Sequence, residues 1–116
     1  MTNKIDASIA ERYTWGDGCD GWYLLNNENL SIIQEKVPAG RSEVKHYHNI
    51  SRQFVFILEG EGTMELPDKI VKLSKNQGLE IPPKTVHRFI NESDSDAIFL
   101  VISSPENHGD KVNYEE

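Results

Sequence analysis

Four histidines occur in the chain, and three of them stand where they could act together. His46 and His48 flank Tyr47, and in an extended strand side chains at i and i+2 point to one face. The pair therefore aims two imidazoles at one point. Gln53 follows at the head of the β-prone run Phe54-Val55-Phe56-Ile57-Leu58, and a hairpin would carry it back over the same face. His87 lies in a second block, Pro82 to Asn91. Three imidazoles and one amide oxygen are a donor set for a transition metal. The competing view, that these are surface or satisfied core histidines, is weakened by the Gly, Pro and Asn residues that frame them. His108, in the polar C-terminal stretch, is expected to be solvated.

Composition bounds what such a site could serve. The chain has 116 residues, 37% hydrophobic and 27% charged, which suits one domain (residues 1–116) with one core. A net charge of −7 argues against a nucleic-acid footprint or an anionic membrane surface. No apolar run approaches a membrane span, and residues 1–13 lack the apolar segment of a secretory leader, so a cytoplasmic location is expected. Cys19 is the only cysteine, which leaves no internal disulfide. Asp17 and Asp20 lack calcium-loop spacing.

The elements that must position the histidines are short strands separated by turn residues. Strands are expected around Tyr13 and Trp15, then over 22–25, 30–37, 42–48, 53–59, 63–66, 69–73, 79–81, 86–91 and 97–103, with a polar tail over 105–116. Asn26-Asn27-Glu28-Asn29, Pro38-Ala39-Gly40, Pro67-Asp68 and Asn76-Gln77-Gly78 are the turns. No helical period appears between 20 and 103. Eight to ten closely spaced strands predict an antiparallel all-β sandwich or barrel.

The chain resembles a small single-domain cupin over about residues 20–103. Gly40, five residues, His46-Tyr47-His48, four residues, Gln53, six residues and Gly60 reproduce the first cupin motif, with glutamine where the motif has glutamate. The second motif is matched by Asn76, five residues, Pro82-Pro83-Lys84, two residues, His87, three residues and Asn91. Asn76 and Lys84 replace its two glycines. The resemblance implies an antiparallel jelly roll (a double-stranded β-helix), with His46, His48, Gln53 and His87 at the metal-ligand positions. It also implies a divalent ion (Zn, Ni, Fe, Mn or Cu) and favours a homodimer.

Within that frame, Val55 and Ile57 share the inward face of Gln53, while Phe54, Phe56 and Leu58 face outward. The outward face needs a cover, either the N-terminal strands bearing Tyr13, Trp15, Trp22 and Tyr23 or a second subunit. Phe89 is expected in the pocket wall and Asn91 in a turn. Tyr47 and Arg88 are expected outside. Glu43, Lys45 and Glu80 are ordinary strand charges by type. Glu35, between apolar neighbours, is the candidate general base.

The expected function is metal-dependent catalysis, dioxygenase-like or isomerase-like, on a small anionic or enolisable molecule. The alternatives are a pocket that binds or senses a ligand without turnover, and a metal-free jelly roll. Metal binding is expected to fade as pH falls through the histidine range. Glutamine contributes a neutral oxygen, so a bound divalent ion would keep its full charge and favour an anionic ligand. Gln53→Glu should therefore bind metal more tightly in isothermal titration; weaker binding by the variant would refute this charge argument.

Overall fold

The computed structural model describes residues 3–16, 18–105 and 109–114. Asp17 and His108 fall outside them. Eleven strands follow in order: β1 (Glu11–Trp15), β2 (Cys19–Asn26), β3 (Ser31–Val37), β4 (His46–His48), β5 (Arg52–Glu59), β6 (Gly62–Glu65), β7 (Ile70–Leu73), β8 (Gly78–Ile81), β9 (Arg88–Ile90), β10 (Ala97–Ser104) and β11 (Lys111–Asn113). Among the described residues there is no helix, hence none long and apolar enough to cross a membrane.

Alternation sets which side chains meet. In β10, Ala97, Phe99, Val101 and Ser103 are buried, while Ile98, Leu100 and Ile102 are half-buried. In β5, Gln53, Val55 and Ile57 are buried. These strands are neighbours in a six-stranded antiparallel sheet ordered β1-β2-β3-β10-β5-β8. A three-stranded sheet, β7-β6-β9, lies opposite. Between them pack Val37, Val55, Ile57, Met64, Leu73, Ile81, Phe89 and Phe99. Each such buried side chain contributes roughly 1.5–3 kcal/mol relative to exposure. The Phe89 and Phe99 rings lie 4.3 Å apart and join the two layers. Gly62 makes room for that contact, because a Cβ there would lie 2.0 Å from Phe89 Cζ. The result is an antiparallel jelly roll.

The motif positions explain themselves in backbone terms. Gly40 and Gly60 have φ of 75° and 76°, and Asn76 and Lys84 have φ of 68° and 67°. Those last two are the positions where the second motif has glycine. They are also the only positive-φ non-glycine residues among those described. The fold thus keeps the left-handed turns without the residue that adopts them most easily.

Three expectations need correction. Residues 111–113 are not loose tail: β11 pairs antiparallel with β4 and adds a third element to the histidine region. The strand expected over 42–48 is regular only at 46–48, with an isolated bridge from Ser42 to Ile90. The N-terminal strands do not cover the outer sheet face. They pair edge-on, β1 with β2 and β2 with β3, and so widen the sheet. Phe54 on the outer face stays 40% exposed.

Candidate metal centre

Two chain segments more than forty positions apart are locked opposite each other by backbone hydrogen bonds. The His46 N–H donates to the His87 carbonyl at 3.0 Å, and the His87 N–H to the His46 carbonyl at 2.8 Å. Residues paired this way project their side chains to one face. The two rings accordingly sit 4.3 Å apart, and His48, two residues along β4, places its ring 5.1 Å from that of His46. All three are buried, and their nearest ring nitrogens lie within 4.8 Å of one another.

Hydrogen bonding selects the tautomer. His46 Nδ1 lies 2.7 Å from the Val44 carbonyl and His87 Nδ1 lies 2.8 Å from that of Thr85. A carbonyl only accepts, so each Nδ1 carries the proton and each Nε2 keeps a lone pair. His48 has both ring nitrogens buried without a protein partner. Burial lowers the pKa of His46 to about 3 and of His48 to about 4, with the neighbouring His87 adding to both. Burial also lowers His87. These are neutral imidazoles with available lone pairs, and the donor set fits a divalent transition metal. Proton competition for such an ion is moved well below the ordinary histidine range expected from sequence.

Gln53 lines the same cavity. Its Nε2 donates to Ser103 Oγ at 3.1 Å, the residue opposite it in the β5–β10 register. With the amide nitrogen held there, the carbonyl oxygen is the atom left for the cavity.

Acidic groups complete the lining. Glu35 accepts a 2.9 Å hydrogen bond from the Tyr13 hydroxyl. Burial, opposed by that bond, raises its pKa to about 7. Tyr13 is pushed far above its usual range by burial and by Glu35. Glu43 accepts the Phe89 N–H at 2.9 Å, and its other oxygen lies 3.6 Å from His46 Nδ1. Burial and the charge of Glu35 raise Glu43 to about 8. The cavity measures about 180 Å³, below the roughly 300–1,000 Å³ of pockets for drug-sized molecules.

Glu43 and Tyr13 were not foreseen as cavity residues. Strict alternation from His46 would turn Glu43 outward. Ser42 bridges Ile90 while His46 bridges His87, so this side spans four steps against three. The extra residue is a bulge, which re-aims the side chains before it. Tyr13 arrives because Gly21, its partner in the β1–β2 register, leaves space: a Cβ there would lie 2.3 Å from its ring. Phe89 forms cavity wall. Asn91 organises its turn, accepting from Ser93 and donating to Val37 and Ser95 carbonyls. Arg88 points away and pairs with Glu65 at 3.2 Å.

This all-β barrel with a histidine cluster at its inner wall is matched by the family model described as "Cupin domain" over residues 33–103. The chain belongs to the cupin family. It is 33% identical over 75 residues to the uncharacterized protein MJ1618 of Methanocaldococcus jannaschii, covering 65% of this chain and 60% of that one. The chain spans no more than 60% of the length of the curated relatives it matches. The polyketide cyclase RemF from Streptomyces resistomycificus superposes with a TM-score of 0.85 at 17% identity, covering 100% of this chain and 87% of that one. A sugar phosphate isomerase of the cupin superfamily from Silicibacter pomeroyi gives a TM-score of 0.78 at 21% identity, with 90% and 76% covered. At such identities the likeness shows the fold alone.

The titrating groups carry opposite signatures. A carboxyl raised above its unfolded value near 4.5 stabilises the fold below that pH and loses this as pH rises through the folded value. An imidazole held below 6.5 stabilises above that pH and loses this as pH falls. Above pH 6.5 the two carboxyls dominate. Chelator-treated protein should lose thermal stability from pH 6.5 to about pH 8, and Glu35→Gln should remove about half of that slope or more, because the charge of Glu35 also raises Glu43. A level Tm in the parent would show that neither carboxyl is held protonated.

Proposed function

We propose that the protein is a metal-dependent enzyme of redox-neutral proton transfer, isomerase-like, acting on a small anionic or enolisable molecule. One observation carries this choice over oxygen chemistry: two half-buried carboxyls with raised pKa values share a small cavity with three imidazoles whose lone pairs are available. A divalent ion on His46, His48, His87 and the Gln53 carbonyl would supply Lewis-acid charge toward a substrate oxygen. Glu35 is the base. A carboxyl with a pKa of about 7 can take a proton from carbon and return it near neutral pH. The Tyr13 hydroxyl fixes which oxygen of Glu35 faces the substrate. Val55, Met64, Phe89, Phe99 and Val101 supply the apolar part of the cavity wall. Among the structural neighbours, one is by name an isomerase and another a cyclase, which agrees with proton chemistry in this barrel.

Protein purified without chelator should carry about one divalent ion per chain, and His87→Ala should lose most of it, because a three-imidazole set is reduced to two. On a panel of small enolisable oxo acids and phosphorylated sugars, solvent deuterium should enter substrate carbon. Glu35→Gln should slow that exchange about 100-fold or more. Oxygen uptake on the same panel would assign a dioxygenase instead. Stoichiometric binding with neither signal would assign a binding protein.

We also propose that it works in the cytoplasm as a homodimer through the outer face of β10 and β5. Phe54, Phe56, Leu58, Ile98, Leu100 and Ile102 lie on that face, Phe54 exposed and the others half-buried, and the N-terminal strands extend the sheet edge-on. Sedimentation at micromolar concentration should give a dimer and Phe54→Glu a monomer; a monomeric parent ends the idea.

A further inference from the structure

We propose that Lys111 is a specificity-determining residue of this cavity, whose ammonium receives the anionic group of the substrate at the cavity mouth. The inference deepens the reading above and rests on it for the substrate's class. Nothing in the local sequence marks it, since Lys111 lies in a stretch that resembles a solvated tail.

Register supplies the first support. Lys111 is the direct partner of His48 in the β11–β4 pair. Side chains directly opposite in an antiparallel pair share a face, and the His48 ring faces the cavity. Lys111 indeed lines the same cavity while remaining exposed, as a residue at its rim must.

Anchoring supplies the second. The preceding Asp110 carboxylate accepts the N–H groups of Asn49, Ile50 and Ser51 at 3.2, 3.0 and 2.9 Å. These three donors follow directly on His48. The turn after β4 is therefore tied to the start of β11, which fixes Lys111 relative to the histidines. Ser51 Oγ adds a bond to the Pro105 carbonyl at 2.7 Å. A lysine held only for solubility needs no such fastening.

Charge supplies the third. Lys111 lines one cavity with Glu35, Glu43, His46, His48 and His87. Among the described residues none of the ion pairs uses Lys111. Lys111 is the one lysine or arginine among the described residues lining the cavity, so its ammonium is the cationic group that an entering carboxylate or phosphate meets.

The probe is malonate, with neutral malonamide as its control, titrated calorimetrically into the full chain with and without zinc. Lys111→Met should weaken malonate about tenfold in both forms, while Lys111→Arg should stay within about threefold of the parent. Malonamide should bind parent and variants alike. Equal malonate affinity in parent and Lys111→Met overturns the proposal. So does absence of malonate binding by the parent, or an equal loss for malonamide. Zinc affinity is read separately. If zinc fails to bind but malonate still depends on Lys111, the metal-enzyme reading falls and Lys111 stands. If zinc binds and malonate ignores Lys111, the reverse holds.

Discussion

The two hydrogen bonds between the His46 and His87 backbones are the constraint on which the site depends. They convert a long separation in sequence into a ring-to-ring distance of 4.3 Å. Everything near them is arranged by that bridge. His48 follows by the strand period, β11 is laid along the far edge of β4, and the bulge between Ser42 and His46 turns Glu43 inward. A strand pairing is a good device for this purpose. It satisfies buried backbone groups that would otherwise be costly, and it fixes side-chain direction without using a side chain.

Burial then gives the site its chemistry. The same desolvation acts in opposite directions on the two kinds of group, holding imidazoles neutral and carboxyls protonated. Neutral imidazoles present lone pairs, while a carboxyl near neutrality can both hold and release a proton. Backbone carbonyls at Val44 and Thr85 fix where the protons sit on two of the rings. None of these acceptors is chemically special; their placement is what orients the ligands.

The left-handed turns show how far motif chemistry can drift while geometry persists. Asn76 and Lys84 adopt the conformation for which the second motif uses glycine. Asparagine enters that region more readily than most residues, and lysine does so at some cost in backbone strain. The turn after β8 is nonetheless in place, with the Lys84 N–H donating to the His48 carbonyl at 2.6 Å. A tie between the second motif and the middle of the first offsets an unfavourable φ.

Much of this was legible in the chain itself. Alternation placed Val55 and Ile57 on the inner face, the apolar neighbours of Glu35 marked it as a candidate base, turn residues marked nearly every strand end, and the spacing of His46, His48, Gln53 and His87 marked the candidate cluster. Period and turn chemistry are local, so sequence carries them directly. Only the folded chain decided that Glu43 faces the cavity, that Tyr13 caps Glu35, that the N-terminal strands widen the sheet instead of shielding it, and that residues 111–113 form a strand beside His48. Each of those depends on a bulge, an edge pairing or a long-range register. Such features are settled by competition among distant segments for the same hydrogen-bonding partners, and no short stretch of sequence encodes that outcome.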